Sequence, residues 1–297
     1  MRQSTREFPM PKIAKSGTVS FRGRLFRNLS GVIGLTLLSI YLVIGLCGAL
    51  GITPYPSLEQ HRSDRLQAPS ANYLLGTDLF GRDLASRLME GAANSLRVAL
   101  LAVASATIMG TFLGTIAGYL GGWFENVLMR LMDVFFAIPA LLMALVIVSI
   151  LGPGVNTTVM AIAIVYTPIF ARVSRAPVLS VKEMEYVTAA RCLGRKDMGI
   201  IWQHILPNTL APLIVQVSLA LSWALLTEAG LSFLGLGTQP PTPSWGVMLS
   251  ESRGIAEMAP WLMIYPALSI VLGVLSFNLL GDGLRDILDP RLRGLKG

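Results

Sequence analysis

The sequence predicts an all-α protein that crosses a membrane six times, and three observations carry that expectation. Hydrophobic residues make up 53% of the 297-residue chain, while Asp, Glu, Lys and Arg supply only 14%, against about 25% in ordinary soluble domains. So few charges cannot cover the surface of a soluble protein of this size, and a mean hydropathy of +0.61 agrees. Charge-free runs long enough to span a bilayer recur along the chain, and Lys and Arg gather on one side of them. The same composition excludes other classes. Two cysteines, Cys47 and Cys192, are too few for a disulfide-stapled secreted domain, and the apolar content excludes disorder. The net charge of +7 is read as the basic excess of a polytopic membrane protein; no nucleic-acid partner is expected.

A spanning helix needs roughly 20 apolar residues, each advancing about 1.5 Å through a core of about 30 Å. Residues 1–29 form a tail, residues 30–50 the first span and residues 51–92 a segment on the opposite side. The first span reads as an uncleaved helix, because its apolar stretch is about twice that of a signal peptide and Leu46, not a small residue, precedes Cys47. Residues 98–124 give the second span. Residues 134–171 are uncharged but too long for one crossing, and Gly152-Pro153-Gly154 divides them into two helices joined by a tight turn. A fifth span begins after Pro207 and covers residues 208–235; a sixth covers residues 258–281, before a tail at 284–297. With these boundaries eighteen of the 24 Lys and Arg residues lie on the side of the termini, so both termini are expected in the cytoplasm. Cys47 lies in the first span and Cys192 on the cytoplasmic side, so they are not expected to pair.

One cytoplasmic stretch is too polar to span, yet patterned as helix. Ser180 and Glu183 have the spacing of a capping box, MEYVTAARCL follows, and Gly194 sits where a left-handed glycine ends a helix. Residues 195–205 are a second amphipathic stretch, expected to stop before Pro207. This helix–glycine–helix elbow has two readings. One is an interfacial helix resting on lipid headgroups; the other is a docking surface for a soluble partner, with Ala189 and Ala190 allowing close approach.

Thr188-Ala189-Ala190, Gly194 and Leu206-Pro207 reproduce the spacing of the EAA loop of ABC importer permeases, EAA-x3-G-x9-I-x-L-P. Thr188 replaces the Glu of that pattern and His204 the Ile. The version here, starting at Glu185 (EYVTAARCLG, then HILPN), resembles the peptide/nickel transport branch, as do residues 74–92 (LLGTDLFGRDLASRLMEGA), 231–249 (LSFLGLGTQPPTPSWGVML) and 281–293 (GDGLRDILDPRLR). The resemblance runs from about residue 25 onward and is nearest to the "C"-type subunit of dipeptide and oligopeptide importers. It implies a type-1 permease core at 93–283, with five of the spans and a coupling loop at about 180–207 comprising Glu185, Thr188, Ala189, Ala190, Gly194, Leu206 and Pro207. It implies a homologous second permease, two cytoplasmic ATPase subunits and an external solute-binding protein in a bacterial inner membrane. Import of nickel complexes, metallophores, glutathione or another small solute is the alternative within the family. A secondary transporter or channel is the alternative outside it, though that class predicts more intramembrane charge and internal repeats.

The chain lacks a G-x4-G-K-[ST] phosphate cradle and zinc-type Cys/His spacing. No cofactor, metal or catalytic residue is therefore expected, and ATP hydrolysis is assigned to partner subunits. Glu228 is the one acid well inside a span, where an ionised carboxylate costs roughly 2.5–3.5 kcal/mol at a helix centre; it faces either the pathway or a packing neighbour. Asp133 is expected to pair with Arg130 at the start of the third span. In the external segment, Gly76-Thr-Asp78 and Gly81-Arg-Asp83 read as turn and N-cap chemistry before an amphipathic helix ending near Arg97. That segment and the stiff loop around Trp245 are candidates for contact with the delivering protein or for gating.

Overall fold

A computed structural model of the chain describes residues 28–288. Residues 1–27 and 289–297, including Arg291 and Arg293 of the last motif, lie outside the described residues, whereas Arg285 falls in the last turn of the final helix. Among the described residues ten α-helices follow one another: α1 (Leu29–Ala49), α2 (Leu84–Leu120), α3 (Gly122–Phe136), α4 (Ala140–Leu151), α5 (Val155–Val181), α6 (Glu185–Cys192), α7 (Asp197–Ile200), α8 (Leu206–Phe233), α9 (Trp245–Ser252) and α10 (Trp261–Leu288). Of these, α1, α2, α5, α8 with the turns leading into it, and α10 are each long and apolar enough to cross a membrane. Helices α3 and α4 meet that length and apolarity only as a pair, bent by 91° at the break between them, which gives five or six crossings.

That bend corrects the expected third span. Residues 122–136 leave α2 at Gly121, whose φ is +68°, and form a separate helix rather than the end of the second span. The 12 residues of α4 rise only about 18 Å, too little to cross alone. Pro139 caps α4 with an extended backbone, a position where its missing amide costs no intrahelical hydrogen bond. The turn at residues 152–154 is where the sequence places it, with Gly152 and Gly154 at positive φ.

The external segment folds before α2 begins. Asp83 caps α2 by accepting from the Ser86 amide at 2.8 Å, and Gly76 and Gly81 take positive φ, as the turn chemistry predicts. The helix does not end near Arg97, however. It continues for 37 residues, about 56 Å, because nothing after Arg97 breaks the hydrogen-bond ladder. Helix α2 therefore joins the expected surface helix to the second span.

Small residues set the helix packing. Helix α1 buries Gly31, Gly34, Gly45 and Gly48 while Ile33, Ile40, Val43 and Leu46 stay exposed, the pattern of a helix with one face on protein and the rest on lipid. A Cβ on Gly34 would sit 2.8 Å from the Leu279 carbonyl carbon of α10. Asn28 caps α1 and donates to Asp286 of α10 at 2.8 Å, which ties the start of the first helix to the end of the last. The most extensive helix pair is α2 with α5, where Gly110, Gly114 and Gly118 meet Thr167–Val178.

Two apolar cores result among the described residues. The larger is built from α2, α4, α5, α8, α9 and α10. The smaller contains Val178, Val181, Val187, Ile200 and Ile205 and lies under the elbow.

Candidate functional site: the elbow between α5 and α8

The elbow is held from beneath. Val187 of α6 is fully buried against Val178 and Val181 at the end of α5, with Ile200 and Ile205 completing the cluster. Burying each such side chain is worth about 1.5–3 kcal/mol, enough to dock a helix of only eight residues that would not persist alone. Polar ties add to this. Lys182 donates to the Gly118 carbonyl at 2.9 Å, and Tyr119 donates to Asp197, so the end of α2 grips both sides of the elbow. The Arg191 guanidinium lies 5.4 Å from the Tyr119 ring centroid.

Gly194 ends α6 as expected, and its geometry says why. Its φ is +76°, its amide donates to Arg191 at 2.9 Å, and the Arg195 amide donates to Ala190 at 3.1 Å. This pair of bonds is a Schellman motif, which needs a left-handed residue at that position. The start of α6 corrects the sequence reading. Ser180 lies inside α5, which runs on to Val181, and Met184 precedes α6 without a side-chain cap. Helix α5 continues because Val178 and Val181 of its last turns are buried in the elbow core and Lys182 bonds the Gly118 carbonyl; further back, Arg172 and Arg175 pair with Asp133 and Glu125 of α3. The Asp133 partner is thus Arg172 rather than Arg130, with the Arg172 guanidinium 4.1 Å from the Phe136 ring centroid.

Pro207 does not stop the second stretch either. Helix α7 passes through a π-helical turn at Ile201–Ile205 into α8, with the Leu206 amide donating to Ile201. A proline removes one amide and crowds the carbonyl four residues before it; the wider π turn accommodates both. The elbow is consequently fused to an uninterrupted 37-residue lever, Asp197–Phe233.

The outer face of the elbow is open. Glu185, Thr188, Ala189, Gly194 and Pro207 are exposed, Ala190 and Leu206 half-buried. A concavity of about 490 Å³ is lined by Tyr186, Ala189, Ala190, Leu193, Gly194, Arg195 and His204, with Tyr186 and His204 rings 5.7 Å apart. Leu193 is 88% exposed, Met198 65% and Trp202 63%. Of the coupling-loop residues, Ala189, Ala190 and Gly194 line this concavity, while Glu185 and Thr188 lie on α6 and Leu206 and Pro207 open α8; Tyr186, Leu193 and Trp202 are further exposed groups of the elbow. Their exposure is invisible in the sequence, where isolated apolar residues in an amphipathic stretch read as core.

Glu228 lies elsewhere, 22 residues up α8 from Leu206, about 33 Å away. It is fully buried and accepts from Ser232 at 2.7 Å. In the segment before α2 and its first turn, Arg82 and Arg87 are buried. Arg82 contacts Asp78 at 2.6 Å and Arg87 contacts Glu251 at 2.8 Å. Trp245 is 1% exposed and donates to the Leu88 carbonyl at 3.2 Å, so it is a core residue and not an interfacial one.

Residues 110–294 match the family model described as a binding-protein-dependent transport system inner membrane component. The chain belongs to this family. It is 46% identical over 270 residues to a dipeptide transport system permease protein of Alkalihalophilus pseudofirmus, covering 91% of this chain and 88% of that one. It is 46% identical over 278 residues to a di/tripeptide transport system permease protein of Pseudomonas aeruginosa, covering 90% of each. A glutathione transport system permease protein of Escherichia coli is 42% identical over 272 residues, 91% of this chain and 90% of that one. Among solved structures, the inward-facing MetNI methionine ABC transporter aligns with a TM-score of 0.55 at 16% identity, covering 68% of this chain and 96% of that one; this likeness concerns the fold alone. The protein is a multi-pass inner-membrane permease with the type-1 ABC importer fold.

Proposed function

We propose that this chain is one of two permease subunits of an ATP-driven importer of di- or oligopeptides, with both termini in the cytoplasm. The observation that carries the reading is the elbow: an eight-residue helix fixed from below by its own apolar core, open above, and fused to a long membrane helix. Such a part does nothing for bilayer insertion. It suits a soluble partner that pushes on it, and the EAA-type residues Glu185, Thr188, Ala189, Ala190, Gly194, Leu206 and Pro207 lie on it or at its junction with α8. Two ATPase subunits supply the push by closing on ATP. Displacement of α6 passes through Val187 to α5 and through the π turn to α8, and these helices switch the access of a path shared with a homologous permease. An external binding protein delivers the solute. This chain contributes no catalytic residue, metal or cofactor to the cycle, and its remaining exposed apolar surface faces lipid or the second permease.

The relatives named for dipeptides and di/tripeptides support the peptide substrate. The 42% identity to a glutathione permease favours one second reading, a modified tripeptide. Purification of the tagged chain from native membrane in mild detergent is expected to recover two ATPases and a second permease. Uptake of labelled dipeptide by that complex, blocked by excess dipeptide but not by glutathione, supports the first reading. The reverse competition supports the second, and recovery of the chain alone from a preparation that keeps known complexes intact contradicts both.

A further inference from the structure

The strongest unexplained feature is Glu228. Its carboxylate is fully buried on α8. One oxygen accepts from Ser232, and the other has no partner within hydrogen-bond geometry. The side chains around it come from three places. Ser95 lies on α2, Ser232 on α8, and Thr238 and Ser244 on the loop leading to α9; all four face the carboxylate. Three of these hydroxyl oxygens already accept backbone amides: Ser232 from Thr238 at 3.1 Å, Ser95 from Trp245 at 3.3 Å and Ser244 from Val247 at 3.3 Å. Ser232 gives its proton to the carboxylate, and the Ser95 and Ser244 hydroxyl protons are left free to turn toward its unpartnered oxygen, a carboxylate offering about four lone-pair sites. Every amide bonded in this way belongs to residues 238–247, and the Pro243 carbonyl is also held, by Asn94 of α2 at 2.7 Å.

We infer that Glu228 is a positioning residue that ties the outer cap, residues 235–252, to α2 and α8 so that the three move as one body when the outer mouth opens. The carboxylate orients hydroxyls, and the hydroxyls hold the cap's backbone. An apolar residue at 228 leaves those hydroxyls without their shared acceptor, and the cap then opens locally before the bundle does. Its role in transport rests on the importer reading above, whereas the attachment of the cap does not.

The test uses the whole transporter, with Cys47 and Cys192 replaced by Ser and a single reporter thiol introduced by Val247→Cys, at a position 3% exposed. Modification by a membrane-impermeant maleimide is measured with Glu228, Glu228→Gln and Glu228→Ala. The expected result is labelling at least about tenfold faster for Glu228→Ala, the factor that loss of one or two hydrogen bonds allows. Glu228→Gln keeps the shape and one oxygen, and is expected to fall between. A second reporter, Ala102→Cys, at a fully buried position on α2 seven residues beyond Ser95, is expected to stay slow in all three. Equal rates at the Val247→Cys reporter overturn the inference. Acceleration at both reporters overturns it too, since that is general loosening. Dipeptide uptake is expected to fall with cap release and to recover partly in Glu228→Gln. Undiminished uptake with a released cap refutes the positioning role, whereas loss of the ATPases on purification refutes only the importer reading.

Discussion

Replacing Gly194 separates the elbow's geometry from its packing. A Cβ at this position meets nothing within 4 Å, so any effect of a small side chain comes from the backbone. With φ at +76°, Gly194→Ala costs about 1–2 kcal/mol, a factor of roughly 5–30 between the Schellman-closed elbow and its frayed alternatives. Asn tolerates the left-handed region better, so Gly194→Asn is expected to lie close to wild type although it is the larger residue. Proline fixes φ near −65° and deletes the amide that donates to Arg191 at 2.9 Å, a loss of about 3 kcal/mol or more. Complex recovery, ATPase activity stimulated by loaded binding protein, and peptide uptake are measured for all four. Insertion is expected to be unaffected, with uptake ordered Gly, Asn, Ala, Pro. Normal uptake by Gly194→Pro refutes the argument that the elbow's fixed turn transmits force. So would a series ordered by side-chain size.

Ile205→Ala removes a fully buried member of the elbow core and is expected to cost about 2–5 kcal/mol, read as faster amide exchange across residues 185–192 with little change in α1. Glu251→Ala removes the acid that buried Arg82 and Arg87 share and leaves both on Asp78, so it is expected to lower stability by about 1.5–3 kcal/mol, part of it recovered when Arg87 is also replaced by Met; a thermal-unfolding comparison decides. Asp133→Asn breaks a pair whose side chains are 47% and 46% exposed, so it is expected to cost less than about 1 kcal/mol. The Tyr73 phenol is pushed up to about 12, chiefly by the hydrogen bond it donates to Asp64. Because that value is raised, the bond supports the external segment fully below pH about 10 and is lost as pH rises through 12; Asp64→Asn is expected to move the phenol's spectroscopic titration downward.

Composition and charge-free runs are enough to place most of the crossings, because insertion into a bilayer depends on local apolarity. Capping and turn chemistry at Asp83, the turn at residues 152–154 and the end of α6 at Gly194 are equally legible, since those signals are local in sequence. The misread points depend on tertiary partners. Ser180–Glu183 has the spacing of a cap, but Val178 and Val181 are buried under the elbow and carry α5 past it. Pro207 looks like a stop, yet a π turn absorbs it. The burial of Trp245 and Arg87 depends on the Leu88 carbonyl and on Glu251, which only the fold brings beside them. At the elbow the EAA-like spacing locates the site, while Val187, Ile200 and Ile205, which hold it in place, carry no motif.

If α6 is the contact through which an ATPase drives the helices, the partner must lie within reach of its exposed face. A photo-activated cross-linking residue at exposed Thr188, in cells carrying the whole transporter, tests this most directly. The expected product is a cross-link to an ATPase subunit whose yield changes when ATP is bound. Cross-linking to lipid alone, in cells where uptake is intact, contradicts the coupling role and makes the elbow an interfacial helix.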